Sequence, residues 1–174
     1  MPQQIRYPDQ NDFVHYTMQS WHHYNSETSF KEDAEGLKIH FGINRDNGNY
    51  QKSLDIIIPL LCEADSGIKQ FKIWSTSEKP NGWSDNAFGK EVCIYLHEGY
   101  EPNKILNLLQ TIENKLSEQN IPPAPKPPEA DRIIPGSLYN IGYRFDKPYL
   151  TEPKLITGIP RIRQLKYLSA EKAF

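Results

Sequence analysis

The chain has 174 residues, of which 37% are apolar and 24% charged, enough for one hydrophobic core but not comfortably for two. Lys and Arg total 20 against 22 Asp and Glu, so the overall charge gives no attraction to nucleic acid or anionic membranes. No stretch reaches the roughly 20 apolar residues of a membrane span, and the opening residues lack the apolar core of a secretory signal. We therefore expect one domain that binds neither membranes nor nucleic acid and carries no classical signal peptide.

Cysteine and histidine spacing gives no sign of a metal centre. Cys62 and Cys93 each lie in an apolar run and are not spaced as Cys-x-x-Cys, which favours buried free thiols over a disulfide or a metal site. His15 lies apart from the adjacent His22 and His23, and adjacent side chains rarely form a chelate alone. Packing is favoured over metal binding for these histidines.

The first half of the chain predicts a polar cap followed by a strand, a helix and a second strand. Residues 1–35 are polar with scattered aromatics at no regular period, which predicts an irregular or partly helical cap. Apolar and polar residues alternate from Leu37 to Asn44, the pattern of a half-buried strand. A helix is expected over 50–64, kinked or shortened by Pro59, and a short strand over 71–74.

The second half predicts two more strands around the clearest helix of the chain. A strand is expected over 92–97, a helix with one apolar stripe over 102–119, and a last alternating strand over 138–144. Between the helix and that strand lies a proline-rich connector at 121–136, extended over its prolines. The predicted fold is α+β: a single domain with a mostly antiparallel sheet, one face covered by helices and the other carrying a polar site.

Alternation within the predicted strands brings polar side chains onto that second face. They are two lysines, an arginine, a histidine and a tyrosine: Lys38, His40, Lys72, Tyr95 and Arg144. Cations with an acid and a base among them make an anion site, for which phosphate is the obvious ligand. Each residue taken singly also fits an ordinary solvated strand side chain.

Four segments in this order resemble the phosphothreonine lyases, a family of bacterial effectors, and the related lyase domains of lanthipeptide synthetases. The similar segments are the Lys-x-His strand with its Arg-Asp turn at 36–46, the aromatic-Lys strand at 71–73, Gly89 with Tyr95 six positions on, and the closing pair Tyr143-Arg144. The resemblance implies a lyase-like core at 36–174 behind the cap at 1–35. It also implies that no metal or organic cofactor is needed.

By this resemblance His40 would be the general acid and Lys72 the general base of a β-elimination, with Tyr95 assisting the base. Lys38 and Arg144 would hold the substrate phosphate. The family has a further arginine ahead of the Gly-to-Tyr strand, where this chain offers Lys79 or Lys90 instead. A second family arginine after the closing Tyr-Arg is also missing; the candidates to replace it are Lys147, Arg161 and Arg163.

Three functions remain open on the sequence. The first is a phosphothreonine/phosphoserine lyase that acts on a phosphorylated protein or peptide and leaves a dehydroamino acid, either as a host-directed effector or in peptide tailoring. The second is a phosphopeptide-binding module of the same fold without chemistry. The third is an interaction domain recognised through its proline tract. The first implies a place in the bacterial cytoplasm, or in the host cytosol after delivery by a specialised secretion system.

Overall fold

The structure is a computed structural model. It describes residue 7 and residues 13–18, 20–26, 37–63, 66–74, 89–97, 100–129 and 131–145. Lys79, Lys147, Arg161 and Arg163 lie outside the described residues, so the predictions for these four side chains are not tested by the structure.

Seven strands form one antiparallel sheet. They are β1 (Val14–Met18), β2 (Trp21–Asn25), β3 (Leu37–Phe41), β4 (Ile68–Trp74), β5 (Val92–Leu96), β6 (Arg132–Ile133) and β7 (Gly142–Phe145). Their order across the sheet is β1-β2-β4-β5-β3-β7-β6, and every pair is antiparallel. The strand β5 therefore lies between β4 and β3, at the centre of the sheet.

Two helices pack against each other and cover one face of this sheet, with which they share one buried apolar cluster. They are α1 (Asn49–Leu61) and α2 (Pro102–Glu118), and a short 3-10 helix (Asp46–Gly48) precedes α1. Pro59 lies inside α1, which ends two residues later at Leu61 rather than at residue 64. Of the helices among the described residues, none is long and apolar enough to cross a membrane.

The core lies between the helices and the odd-numbered positions of β3 and β4. Ile39, Phe41, Phe71 and Ile73 are at most 2% exposed and join the same buried cluster as the apolar stripes of both helices. Burial of the apolar surface of this cluster is the main contribution to the stability of such a domain. The even-numbered positions of β3 and β4 consequently point to the opposite face. The prediction of an α+β domain with helices on one face of a mostly antiparallel sheet is confirmed.

Two local predictions are wrong. The cap was expected to be irregular or partly helical, but residues 14–18 and 21–25 form the hairpin β1–β2, which pairs with β4 at the edge of the sheet. The last strand was expected over 138–144, but Asn140 has a φ of 55°, a left-handed conformation that interrupts a strand. The strand β7 therefore begins at Gly142 and includes Phe145.

Both cysteines are free, as predicted. Cys93 is buried on β5, whereas Cys62 is only half-buried because it follows the last residue of α1. His15 and His22 pack against neighbouring side chains. His15 Nε2 and His22 Nδ1 are 2.8 Å apart, and the His22 ring stacks on Tyr7 with 3.5 Å between ring centroids.

The hairpin should lose stability in mild acid through His22. The pKa of His22 is lowered to about 4, first by burial and then by the charges of His15 and His23. Because the folded pKa lies below the ordinary 6.5, neutral His22 adds stability that is fully present above pH 6.5 and is lost as the pH falls toward 4. The urea midpoint should therefore fall between pH 7 and pH 4.5, and fall less in His22→Phe, which keeps a ring on Tyr7. An equal fall in both proteins would contradict this assignment.

Candidate active site

The register of the sheet aligns three of the predicted side chains in one row. Lys38 on β3 lies opposite Tyr95 on β5 and opposite Arg144 on β7. Directly opposed residues of neighbouring strands point to the same face. We call Lys38, Tyr95 and Arg144 the cation row, since it places two cationic groups side by side.

A second row, one residue pair further along the strands, holds the other two. His40 lies opposite Cys93 on β5 and Gly142 on β7, and Lys72 on β4 lies on the other side of Cys93. His40 and Lys72 are thus two strands apart, about 10 Å between their backbones. We call this set the imidazole row. The structure therefore brings Lys38, His40, Lys72, Tyr95 and Arg144 together on the face that the helices leave uncovered.

Aromatic rings position the lysines. The Lys72 Nζ atom lies 4.9 Å from the ring centre of Trp21 and 5.9 Å from that of Tyr95. The Lys38 Nζ atom lies 5.1 Å from the same Tyr95 ring. Ring faces attract ammonium groups at such distances. Tyr95 consequently contacts both lysines through its ring and links the two rows.

His40 has a partner that the sequence did not reveal. Its Nδ1 atom is 2.6 Å from Asp131 Oδ2, and the two side chains are 3% and 0% exposed. The pKa of His40 is raised above its ordinary 6.5: burial alone would lower it, but the hydrogen bonds with Asp131 and Cys93 and the Asp131 charge outweigh burial. A buried carboxylate that accepts from Nδ1–H leaves Nε2 as the nitrogen for other chemistry.

Asp131 also contacts Lys90, whose Nζ is 3.5 Å from Asp131 Oδ1. Lys90, considered above as a replacement for a family arginine, therefore lies beside the His40–Asp131 pair. Room for Asp131 depends on Gly142, where an added Cβ would come within 2.8 Å of Asp131 Cβ and of Pro128 Cγ. A side chain at 142 would push the carboxylate away from the imidazole.

The proline tract forms a wall along this end of the sheet. A Cβ on Gly42 would meet Ala124 Cβ at 2.5 Å, and one on Gly89 would meet the Pro128 nitrogen at 2.5 Å. The tract thus packs against glycines of two strand ends and leads directly to Asp131. Within the part of the chain that the structure describes, no group of three or more His, Cys, Asp or Glu side chains is arranged to hold a metal ion.

The sequence matches no family model and no curated protein. The fold does match solved structures. The type III effector/phosphothreonine lyase OspF from Shigella flexneri is 21% identical, with a TM-score of 0.62 over 89% of this chain and 77% of that chain. The phosphothreonine lyase effector VirA (SpvC) from Chromobacterium violaceum is 22% identical, with a TM-score of 0.62 over 78% and 66% of the two chains.

The phosphothreonine lyase SpvC, an effector from Salmonella, is 18% identical, with a TM-score of 0.62 over 91% of this chain and 79% of that chain. The resemblance to the phosphothreonine lyases is therefore confirmed at the level of the fold. The relation to lanthipeptide lyase domains stays a prediction.

Proposed function

We propose that this chain is a cofactor-independent lyase that removes phosphate from phosphothreonine or phosphoserine by β-elimination and leaves a dehydroamino acid. The observation that carries the proposal is the pair of adjacent rows on the uncovered sheet face. One row supplies cations for a phosphate, and the other holds a lysine and an imidazole on either side of Cys93. The fold shared with phosphothreonine lyases supports the same reaction.

The reaction requires a general base that removes a proton from the substrate and a general acid that donates one to the leaving group. The neutral amine of Lys72 removes the proton from the substrate Cα, the Cβ–O bond breaks, and a double bond forms between Cα and Cβ. The protonated His40 donates its Nε2 proton to the departing phosphate oxygen. A base and an acid on opposite sides of the scissile bond suit this reaction, and both return to their starting states by exchange with solvent.

The charge distribution fits these opposite roles. Asp131 and a bound phosphate dianion both favour the protonated imidazole of His40, which an acid requires. Lys38 and Arg144 would bind the phosphate oxygens, Arg144 as a planar fork and Lys38 as a point charge. We assign Tyr95 to positioning Lys72 through its ring, and Lys79 to the phosphate as in the sequence prediction.

The substrate we propose is a phosphorylated protein or peptide. The structural neighbours are described as phosphothreonine lyases and effectors, which supports action either in the bacterial cytoplasm or in a host cell after delivery. A peptide-tailoring role uses the same elimination and the same residues.

The deciding experiment is mass spectrometry of a phosphothreonine peptide incubated with the protein in EDTA. Elimination gives a product lighter than the dephosphorylated peptide by one water. A product of the same mass as the dephosphorylated peptide would mean hydrolysis and would contradict the proposal. An unchanged peptide that nevertheless binds would favour a phosphopeptide-binding module of the same fold.

A further inference from the structure

The strand β1 forms one edge of the sheet. In the strand order it pairs with β2 alone, so no other strand among the described residues covers its outer side. The outer N–H and C=O groups of an edge strand are a template for pairing with a further strand. Proteins therefore protect such an edge against pairing, or use it to bind a partner.

The opposite edge of the sheet is protected, but β1 is not. The strand β6 at the opposite edge has two residues, and one of them is the exposed Arg132. Short strands, charged side chains, prolines and bulges are the usual protection of an edge. The five residues of β1 include no lysine, arginine, acidic residue or proline, and their register with β2 is regular from Val14 to Met18. The strand β1 is therefore suited to pairing.

The side chains of β1 on the uncovered sheet face are apolar or aromatic. Val14 and Met18 are 42% and 44% exposed, and Tyr16 lies between them on the same face. Tyr16 is opposite His23, which in turn is opposite Lys72, so Tyr16 continues the imidazole row to the edge of the sheet. Exposed apolar side chains at both ends of an unprotected strand favour association with another apolar surface.

The polarity pattern of β1 is the same in both directions of the strand. On either side of Tyr16 stands one polar residue, His15 or Thr17, and beyond it one apolar residue, Val14 or Met18. Two antiparallel copies of β1 centred on Tyr16 would pair Val14 of each copy with Met18 of the other, and Tyr16 with itself. Each apolar side chain then meets an apolar one, as a two-fold symmetric interface requires. This self-complementarity points to a second copy of the chain as the partner.

We propose that the chain forms a two-fold symmetric dimer in which the β1 strands of two copies pair antiparallel, with Tyr16 on the axis. The two sheets then form one continuous sheet. Opposed residues of paired strands point to the same side, so both uncovered faces lie on one side of the dimer. The backbones of the two Lys72 residues are five strand spacings apart, about 24 Å. The dimer thus presents two candidate sites to the same substrate surface.

The test measures the mass of the full chain in solution by sedimentation equilibrium over a range of concentrations. The unmodified chain should approach twice the mass of one copy as the concentration rises. A variant with both Val14→Lys and Met18→Lys places lysine opposite lysine across the axis, and a variant with both Val14→Glu and Met18→Glu places glutamate opposite glutamate. Each variant alone should associate at least about tenfold more weakly, because the axis applies every unfavourable pair twice.

An equimolar mixture of the two variants should restore the dimer, since every lysine then faces a glutamate. Restoration also shows that both variants are folded. Leu138→Lys is the matched control, because it changes an exposed leucine in the loop between β6 and β7. It should leave the dimer unchanged.

Several results would overturn the dimer or its interface. A chain that stays monomeric at every concentration overturns the dimer. A dimer that persists in the lysine variant, or that is lost in Leu138→Lys, overturns β1 as the interface. A mixture of the lysine and glutamate variants that stays monomeric overturns the pairing of Val14 with Met18. The test does not use elimination activity, so the dimer stands or falls independently of the proposed lyase function.

Disulfide formation checks the register separately. After oxidation of the dimer, Tyr16→Cys should give an intermolecular disulfide, because residues on the axis face each other. Val14→Cys should give none, because its two copies lie about 13 Å apart along the strands, beyond the reach of a disulfide. The opposite pattern would overturn pairing centred on Tyr16.

Discussion

Replacing Lys72 with alanine is expected to reduce single-turnover elimination by about 10²- to 10⁴-fold, the usual contribution of a general base. Phosphopeptide affinity should change little, because in the proposed reaction the cation row holds the phosphate and Lys72 lies in the neighbouring row. The rate is followed by mass spectrometry and the Kd by fluorescence anisotropy. This result would distinguish the general base from the residues that bind the phosphate.

Arg144→Ala provides the contrast to Lys72→Ala. Arg144 lies opposite Lys38 on the same sheet face, so its loss should chiefly weaken binding and affect the rate at saturation less. Lys52→Ala, which removes an exposed lysine of α1 on the covered side of the sheet, controls for loss of charge. If Lys72→Ala weakened binding and Arg144→Ala stopped the chemistry, the role assignment would be discarded.

Asp131→Asn is expected to move the alkaline limb of the pH–rate profile to lower pH. In the proposed reaction this limb reports deprotonation of His40, and the Asp131 carboxylate helps to hold the pKa of His40 above 6.5. Asparagine keeps an oxygen near Nδ1 but removes the charge, so the imidazolium is lost at lower pH.

The raised pKa of His40 also makes the stability of the protein depend on pH. Since the folded pKa of His40 is raised, its contribution to stability is fully present below pH 6.5 and is lost as the pH rises through the folded value. Asp131→Asn should therefore destabilise the protein most in mild acid, as measured by urea denaturation.

Lys90→Met is the control for the pH–rate profile, because it removes the cation beside Asp131 and should move the alkaline limb to higher pH. An alkaline limb unmoved in Asp131→Asn would rule out His40 as the titrating acid.

Alternation in β3 was enough to predict which side chains share the uncovered face. Lys38 and His40 stand two positions apart, and a strand period of two places both on one side. The register that aligns them with Tyr95 and Arg144 depends on pairing between distant segments, and no local pattern specifies it. Periodicity alone did not indicate that these segments form one site. The resemblance to the phosphothreonine lyases did, because the four segments occur in the same order.

The contact of Asp131 with His40 could not be predicted from the sequence, and the reason is physical. It follows the proline tract in a segment without a period, and its partner His40 is 91 positions away. One usable signal was Gly142, a residue without a side chain directly opposite His40, which leaves the space that Asp131 occupies. The hairpin β1–β2 was missed because Gln19 and Ser20 between its strands lack the Asn-Gly or Asp-Gly signal of a tight turn.

The contact between His40 and Asp131 also couples the protonation of His40 to folding. The strand β3 carries the imidazole, but the carboxylate arrives only when the segment after α2 has docked across the sheet, and long-range contacts of this kind form slowly. A folding intermediate with β3 and β5 paired and that segment still detached would hold an imidazole of lower proton affinity. Proton uptake at His40 would then accompany the docking of that segment, the step that completes the proposed general acid.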